Sequence, residues 1–239
     1  MIDARKRALA KTLSWRGAAI VLLGFVTYLL TNDIKTVTYV TLFYHTLQLV
    51  VFFLHERVWN HVKWGKTKGL FIQMTGLSGS GKTTLSRAVA KKLINEGYKV
   101  ELMDGDEYRT ELCRDLGFSK EDRNSNIRRL GFVGKVLARN NVIAIMATIN
   151  PYEEIRKEIK ELGPFVKTVY MECDLDTLIS RDPKGLYRRA LSGDIKNFTG
   201  ISDPFECPEH PDLIINTADE SLEESAERMY RFILKETDN

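Results

Sequence analysis

The run Gly76-Leu77-Ser78-Gly79-Ser80-Gly81-Lys82-Thr83 fits the spacing GxxxxGK[ST]. That composition handles phosphate. Glycines let backbone N–H groups converge on phosphate oxygens without side-chain clashes. A helix starting just after the loop adds the positive end of its dipole. A lysine at Lys82 reaches β- and γ-phosphates, and a hydroxyl at Thr83 ligates Mg²⁺. The loop therefore assigns Gly76, Ser78, Gly79, Ser80, Gly81, Lys82, Thr83 and Thr84 to binding ATP or GTP. It does not say which molecule receives the phosphoryl group.

Two further clusters bear on the acceptor. Asp104-Gly105-Asp106-Glu107-Tyr108-Arg109 puts carboxylates where a strand ends, and there Asp106 can hold Mg²⁺ or orient an attacking hydroxyl. The stretch Asp122-Arg123-Asn124-Ser125-Asn126-Ile127-Arg128-Arg129 is rich in guanidinium groups, whose planar fork suits anions. Taken singly, each has an ordinary reading: solvated acids in a turn, and a charged helix face.

The elements around these residues alternate. Leu70–Thr75 is a short apolar run suited to a buried strand, and it leads into the glycine loop. A helix follows over Thr83–Asn95, with Gly97 as its C-terminal stop. Further strands are expected at Tyr98–Met103, Val142–Thr148, Phe165–Cys173 and Asp212–Asn216. Helices are expected near Arg123–Asn140, Pro151–Leu162, Pro183–Leu191 and Ser221–Lys235. Such alternation predicts an α/β fold, a P-loop NTPase-like parallel sheet with helices on both faces. Ser192–Pro211 has little periodicity and reads as a loop or lid.

The 239 residues carry a formal net charge of +3, too small to argue for a nucleic-acid partner. Cys113, Cys173 and Cys207 form no CxxC pair, which favours free thiols in a reducing compartment over a zinc site.

Before the P-loop domain, two apolar runs, Gly17–Leu30 and Val37–Leu54, flank a polar interruption at Thr31–Lys35. Each is near the lower limit for a bilayer span. Arg5, Lys6, Arg7, Lys11 and Arg16 precede the first, and Arg57, Lys63, Lys66 and Lys68 follow the second. Basic flanks around a nearly neutral loop place both ends in the cytoplasm. Trp15, Trp59 and Trp64 lie where interfacial anchors belong. His45 and Gln48 must then face a partner rather than lipid. The expectation is a two-helix transmembrane hairpin over residues 1–66 and a kinase domain over 67–239, with the kinase on the cytoplasmic side of a bacterial inner membrane. A cleaved signal peptide is disfavoured by the absence of a small-residue cleavage site. A soluble helical hairpin used for dimerisation is the competing reading.

GLSGSGKTT, DGDEYR, DLGFS, DRNSNIRR, RDPKGLY and NFTGISDPFECP occur in this order from about Leu70 onward. In them the sequence resembles the adenylylsulfate (APS) kinases. Residues Arg7–Trp64 resemble a small bacterial membrane domain of unknown function. The first resemblance implies transfer of the ATP γ-phosphoryl to the 3′-hydroxyl of adenylylsulfate, with Mg²⁺ required. By position it implies that Asp106 orients or deprotonates that hydroxyl and helps place Mg²⁺. It implies that Arg109, Arg123 and Asn126 hold the phosphosulfate and ribose, and that Phe118 and Phe198 sandwich the adenine. It also implies that Lys184, with backbone near Ile149 and Asn197, completes the acceptor site. The family often forms homodimers.

One departure bears on chemistry. The family usually has Ser-Pro after the third strand, and here the pair is Asn150-Pro151. Asn cannot form a phosphoester, so a covalent relay through this residue is excluded, whereas direct in-line transfer does not need it. Its place beside the acceptor leaves room for a different nucleotide-linked substrate. A membrane nucleotide sensor without turnover is the remaining alternative, against which stand Lys82, Thr83 and Asp106.

Overall fold

The structure is a computed structural model, and it describes residues 5–61 and 68–238. The chain divides into two compact units, residues 1–66 and 67–239.

The first unit is a pair of helices, α1 (Arg5–Thr31) and α2 (Ile34–His61), packed against each other. Asn32 takes a left-handed conformation, and the Asp33 carboxylate caps α2 by accepting from the backbone N–H of Lys35 and Thr36. The turn is therefore only two residues long, and both helices outrun the apolar runs of the sequence. Within them, Ser14–Thr31 and Ile34–Val58 are long and apolar enough to cross a membrane. Nearly all of their large apolar side chains are exposed within the unit. Trp15 is exposed at the start of the first span. The flanking residues Arg5, Lys6, Arg7, Lys11, Trp59, Lys63, Trp64 and Lys66 lie outside the described side chains.

The second unit is built on a five-stranded parallel sheet in the order β2-β3-β1-β4-β5. The strands are β1 (Leu70–Thr75), β2 (Val100–Asp104), β3 (Ile143–Ala147), β4 (Val166–Glu172) and β5 (Leu213–Asn216). The expected strands were right to within two residues. β1 is buried at every position because it is central and covered on both faces. On one face α3 (Lys82–Asn95) and α9 (Leu222–Asp238) bury Leu85, Val89, Leu93, Met229 and Ile233 against Ile72, Ile145 and Met171. On the other, α5 (Lys120–Arg139) and α6 (Glu153–Lys160) bury Ile127, Leu130, Ile155 and Ile159 against Phe71, Ala144 and Met146. Gly134 lets α5 approach that closely: a Cβ there would lie 2.5 Å from the Phe71 ring.

Four helices depart from the sequence expectation. α5 begins three residues before Arg123, because Ser119 takes an extended conformation and caps it from the Asp122 N–H at 3.1 Å. α8 (Leu186–Leu191) begins three residues after Pro183, because Gly185 sits at φ 65° and the Asp182 carboxylate accepts from the N–H groups of Tyr187 and Arg188. Two short helices had no counterpart in the sequence reading: α4 (Gly105–Glu111), capped by Asp104, and α7 (Leu175–Arg181), capped by Asp174. Seven residues are too few to show helical periodicity. The segment after Leu191 is irregular as expected, with one isolated bridge between Thr199 and Asp203. Its Phe198 joins Leu178, Tyr187 and Ala190 in a third, smaller core.

Candidate active site

Parallel sheets open a crevice at the carboxyl ends of their strands, where the connections diverge. Here β1 feeds the glycine loop, β2 feeds α4, and β3 feeds the turn at Thr148–Pro151. Together with the Pro183–Lys184 and Ile195–Thr199 segments they enclose a cleft of about 660 Å³.

On the phosphate side, Gly79 and Gly81 stand at φ 78° and 83°, which only glycine adopts readily. Ser78, Gly79, Gly81, Lys82, Thr83 and Thr84 line the cleft. Gly76 and Ser80 do not. The Gly76 N–H donates to the Ile149 carbonyl at 3.2 Å, and Ser80 is fully buried beneath the loop. Lys82 Nζ donates to the carbonyls of Gly76 at 2.9 Å and Leu77 at 2.7 Å. Burial pushes its ammonium down to about 7, nearby Lys184 adds to this, and Asp106 and Asp104 oppose it.

On the other side, Asp106, Arg109, Phe118, Arg123, Asn126, Ile149, Asn150, Lys184, Asn197 and Phe198 all line the same cleft. The Asp106 carboxylate accepts from Lys184 Nζ at 2.7 Å. It shares the cleft with Lys82 on one side and Arg109 on the other. Burial and, after it, the neighbouring Arg123 lower the Arg109 guanidinium from its ordinary value. Arg123 donates to the carbonyls of Phe118 and Asn197 and to Thr199 Oγ1. Asn126 Oδ1 and Thr148 Oγ1 are buried at the cleft without a hydrogen-bond partner among the described residues. Buried polar atoms of this kind call for a donor from elsewhere.

The two phenylalanines differ in environment. Phe118 is 63% exposed, with the Arg109 guanidinium 4.2 Å from its ring centroid. Phe198 is buried edge-on against Tyr187 at 5.1 Å. Tyr187 in turn donates to the Ser78 carbonyl at 2.8 Å and so ties this lid core to the glycine loop.

Asn150 lines the cleft, its Oδ1 buried without a hydrogen-bond partner among the described residues and only its Nδ2 engaged by the sheet. It sits at φ 45°, its Nδ2 donates to Gln73 Oε1 at 3.2 Å, and its carbonyl accepts from Thr75 Oγ1 and Arg156. Gln73 extends the chain to Thr168, and Arg156, 2% exposed, reaches the Glu206 carbonyl in the lid. The position that departs from the family pattern thus belongs to a buried polar network under the cleft floor. Arg156 carries no sequence signal of this role, and Tyr187 only a faint one. Arg156 sits in Glu-Glu-Ile-Arg-Lys-Glu, which reads as a solvated helix face, and only the KGLY context hints at Tyr187.

Residues 68–216 match the family model described as adenylylsulphate kinase. The chain belongs to the adenylylsulphate kinase family. It is 49% identical over 166 residues to the adenylyl-sulfate kinase of Microcystis aeruginosa, covering 69% of this chain and 91% of that one. It is 51% identical over 161 residues to that of Chloroflexus aurantiacus, covering 67% and 87%. It also superposes on the Mycobacterium tuberculosis APS kinase CysC in complex with AMPPNP and APS, with a TM-score of 0.67 and 37% identity, over 70% of this chain and 98% of that one. Membership makes the second unit an ATP-using kinase. Residues 9–60 match a second family, described as predicted membrane protein (DUF2061).

Proposed function

We propose that the chain transfers the γ-phosphoryl group of ATP to the 3′-hydroxyl of adenylylsulfate, giving 3′-phosphoadenylylsulfate and ADP. The observation that carries this reading is the cleft that gathers Lys82 and Thr83 of the phosphate loop with Asp106, Arg109, Arg123 and Phe118, the Asp106 carboxylate lying 2.7 Å from Lys184 Nζ. A dianionic acceptor wants the arginine pair, and a purine wants an aromatic face such as Phe118.

The glycine loop binds the ATP phosphates, with Lys82 leaving its carbonyl partners for the β- and γ-oxygens. Arg109, Arg123 and Asn126 hold the phosphosulfate and ribose. Phe118 and Phe198 flank the adenine, and Lys184 with the backbone at Ile149 and Asn197 closes the site. The 3′-oxygen forms a bond to the γ-phosphorus while the bond to the β–γ bridging oxygen breaks. Asp106 orients the hydroxyl and takes its proton. The Thr83 hydroxyl and the Asp106 carboxylate are hard oxygen donors fit for Mg²⁺, which needs few protein ligands when phosphates supply the rest. When bound, the ion neutralises charge on the β- and γ-oxygens.

The test is ADP release with ATP, Mg²⁺ and a panel of nucleotide acceptors. Turnover with adenylylsulfate alone supports the reading, and turnover only with another nucleotide overturns the acceptor.

The two units divide the work. Residues 1–66 form a membrane-spanning hairpin and residues 67–239 the kinase. The two apolar helices and the match to a predicted membrane family support a place in a bacterial cytoplasmic membrane, with the kinase facing the cytoplasm. The basic flanks of the sequence favour that orientation.

A further inference from the structure

Arg156 is a buried cation that the proposed chemistry does not use. Its Nε donates to Glu153 Oε2 at 2.8 Å, which meets its charge. Its Nη1 donates to the Asn150 carbonyl at 2.8 Å and its Nη2 to the Glu206 carbonyl at 2.6 Å. Asn150 lies in the turn between β3 and α6, and Glu206 lies in the lid, 50 residues beyond Arg156. Three more bonds join the same two segments. The Glu206 N–H donates to the Pro151 carbonyl at 2.9 Å, the Glu206 carboxylate accepts from the Glu153 N–H at 2.6 Å, and the Tyr152 hydroxyl donates to Asp203 Oδ2 at 2.9 Å.

The acceptor half of the cleft stands on this foot. The Asp203 N–H donates to the Phe198 carbonyl at 3.1 Å, and the Asp203 carbonyl accepts from the Gly200 N–H at 2.8 Å. Asp203 Oδ2 also lies 3.9 Å from Arg123 Nη2, and Arg123 donates to the Asn197 carbonyl. Asn197 and Phe198 are thus carried on a loop that ends at Asp203–Glu206, with Arg123 held against it.

Burying a guanidinium carries a desolvation cost that its ion pair seldom offsets in full, and apolar side chains of like volume often hold a core as well or better. They cannot bond two carbonyls of segments far apart in sequence, whereas the planar guanidinium fork can. We propose that Arg156 is a positioning residue for the phosphoryl acceptor. It fixes the foot of the lid to the turn between β3 and α6, and so sets where Asn197, Phe198 and Arg123 stand, without touching either substrate. This rests on the proposed function only in that the lid half of the cleft holds the acceptor.

The test uses the full chain in detergent micelles, with ATP, Mg²⁺ and adenylylsulfate. Arg156→Lys keeps a cation for Glu153 but cannot reach both carbonyls. It is expected to raise KM for the acceptor roughly ten- to hundredfold, the span of one hydrogen bond from a charged group, with kcat and KM for ATP nearly constant. Tyr152→Phe keeps the ring in the core and removes one bond to the lid. It is expected to raise the same constant roughly three- to tenfold, and it carries the test if Arg156→Lys does not fold. Hydrogen exchange at the Asp203 and Glu206 amides should quicken in both variants, while β3 amides hold their protection. An acceptor KM that stays put although those amides exchange faster overturns the proposal, and so does an equal rise in KM for ATP. Wild-type turnover with another nucleotide alone overturns adenylylsulfate as the acceptor. The KM for that nucleotide then supports or overturns the inference by the same criterion.

Discussion

Lys184 and Asp106 meet at 2.7 Å across the cleft mouth, and each side chain is more than half exposed. In water such a pair contributes about 0–1 kcal/mol to stability, so its significance is positional. Lys184 precedes α8 on the lid side, and Asp106 lies in the first turn of α4. On the proposed mechanism, acceptor entering between them replaces the lysine at the carboxylate. Asp106→Asn is expected to lower kcat by about 10²–10⁴-fold, the usual worth of a positioned base. ATP affinity, followed by calorimetry, should fall by far less than kcat. An Asp106→Asn enzyme with near-normal kcat would remove the carboxylate from the chemistry.

The Lys82 ammonium, pushed down to about 7 by burial, predicts a pH dependence for nucleotide binding. Phosphate oxygens raise its pKa, so the complex holds more protons than the free enzyme once pH exceeds about 7. ATP affinity should therefore fall as pH rises through that value, and binding should take up a proton. Calorimetry in buffers of different ionisation enthalpy reads this directly. A binding heat independent of buffer at pH 8 would contradict it.

Asn150→Ser tests whether the departure from the family pattern touches specificity. The substitution removes the bond to Gln73 and puts a residue less suited to positive φ at 45°. The expected outcome is a loss of about 1–2 kcal/mol in stability by denaturant unfolding, with the ranking of acceptors unaltered. A change in acceptor preference without a change in stability would return Asn150 to the substrate site.

Arg123 joins three groups at once: the Phe118 carbonyl, the Asn197 carbonyl and Thr199 Oγ1. Lysine keeps the charge and loses the planar fork. Arg123→Lys should raise KM for the acceptor roughly tenfold, a loss of about 1.4 kcal/mol, with KM for ATP nearly constant. Equal rises in both constants would place the damage in the fold rather than in the acceptor half.

The sequence carried the phosphate loop well because GxxxxGKT dictates backbone conformation and chemistry together. The apolar runs of β1, β3 and β4 were equally plain, since central parallel strands are buried on both faces. Helix starts were less legible. Ser119 and Asp182 act through capping bonds, which depend on the φ/ψ of a single residue and not on periodicity. The network under the cleft floor could not be read at all. Gln73, Asn150 and Arg156 are brought together by the β1–β3 pairing and the seating of α6, and only Asn150 stood out in sequence, as a departure from a family pattern and not as a member of a network.

Transfer of label from [γ-³²P]ATP to adenylylsulfate, compared with its 3′-deoxy analogue, tests the central claim most directly. The account predicts a labelled bisphosphate-containing product from adenylylsulfate and none from the analogue, with the labelled product lost in Asp106→Asn. Label on the 3′-deoxy analogue, or none on adenylylsulfate while another nucleotide is labelled, would contradict it.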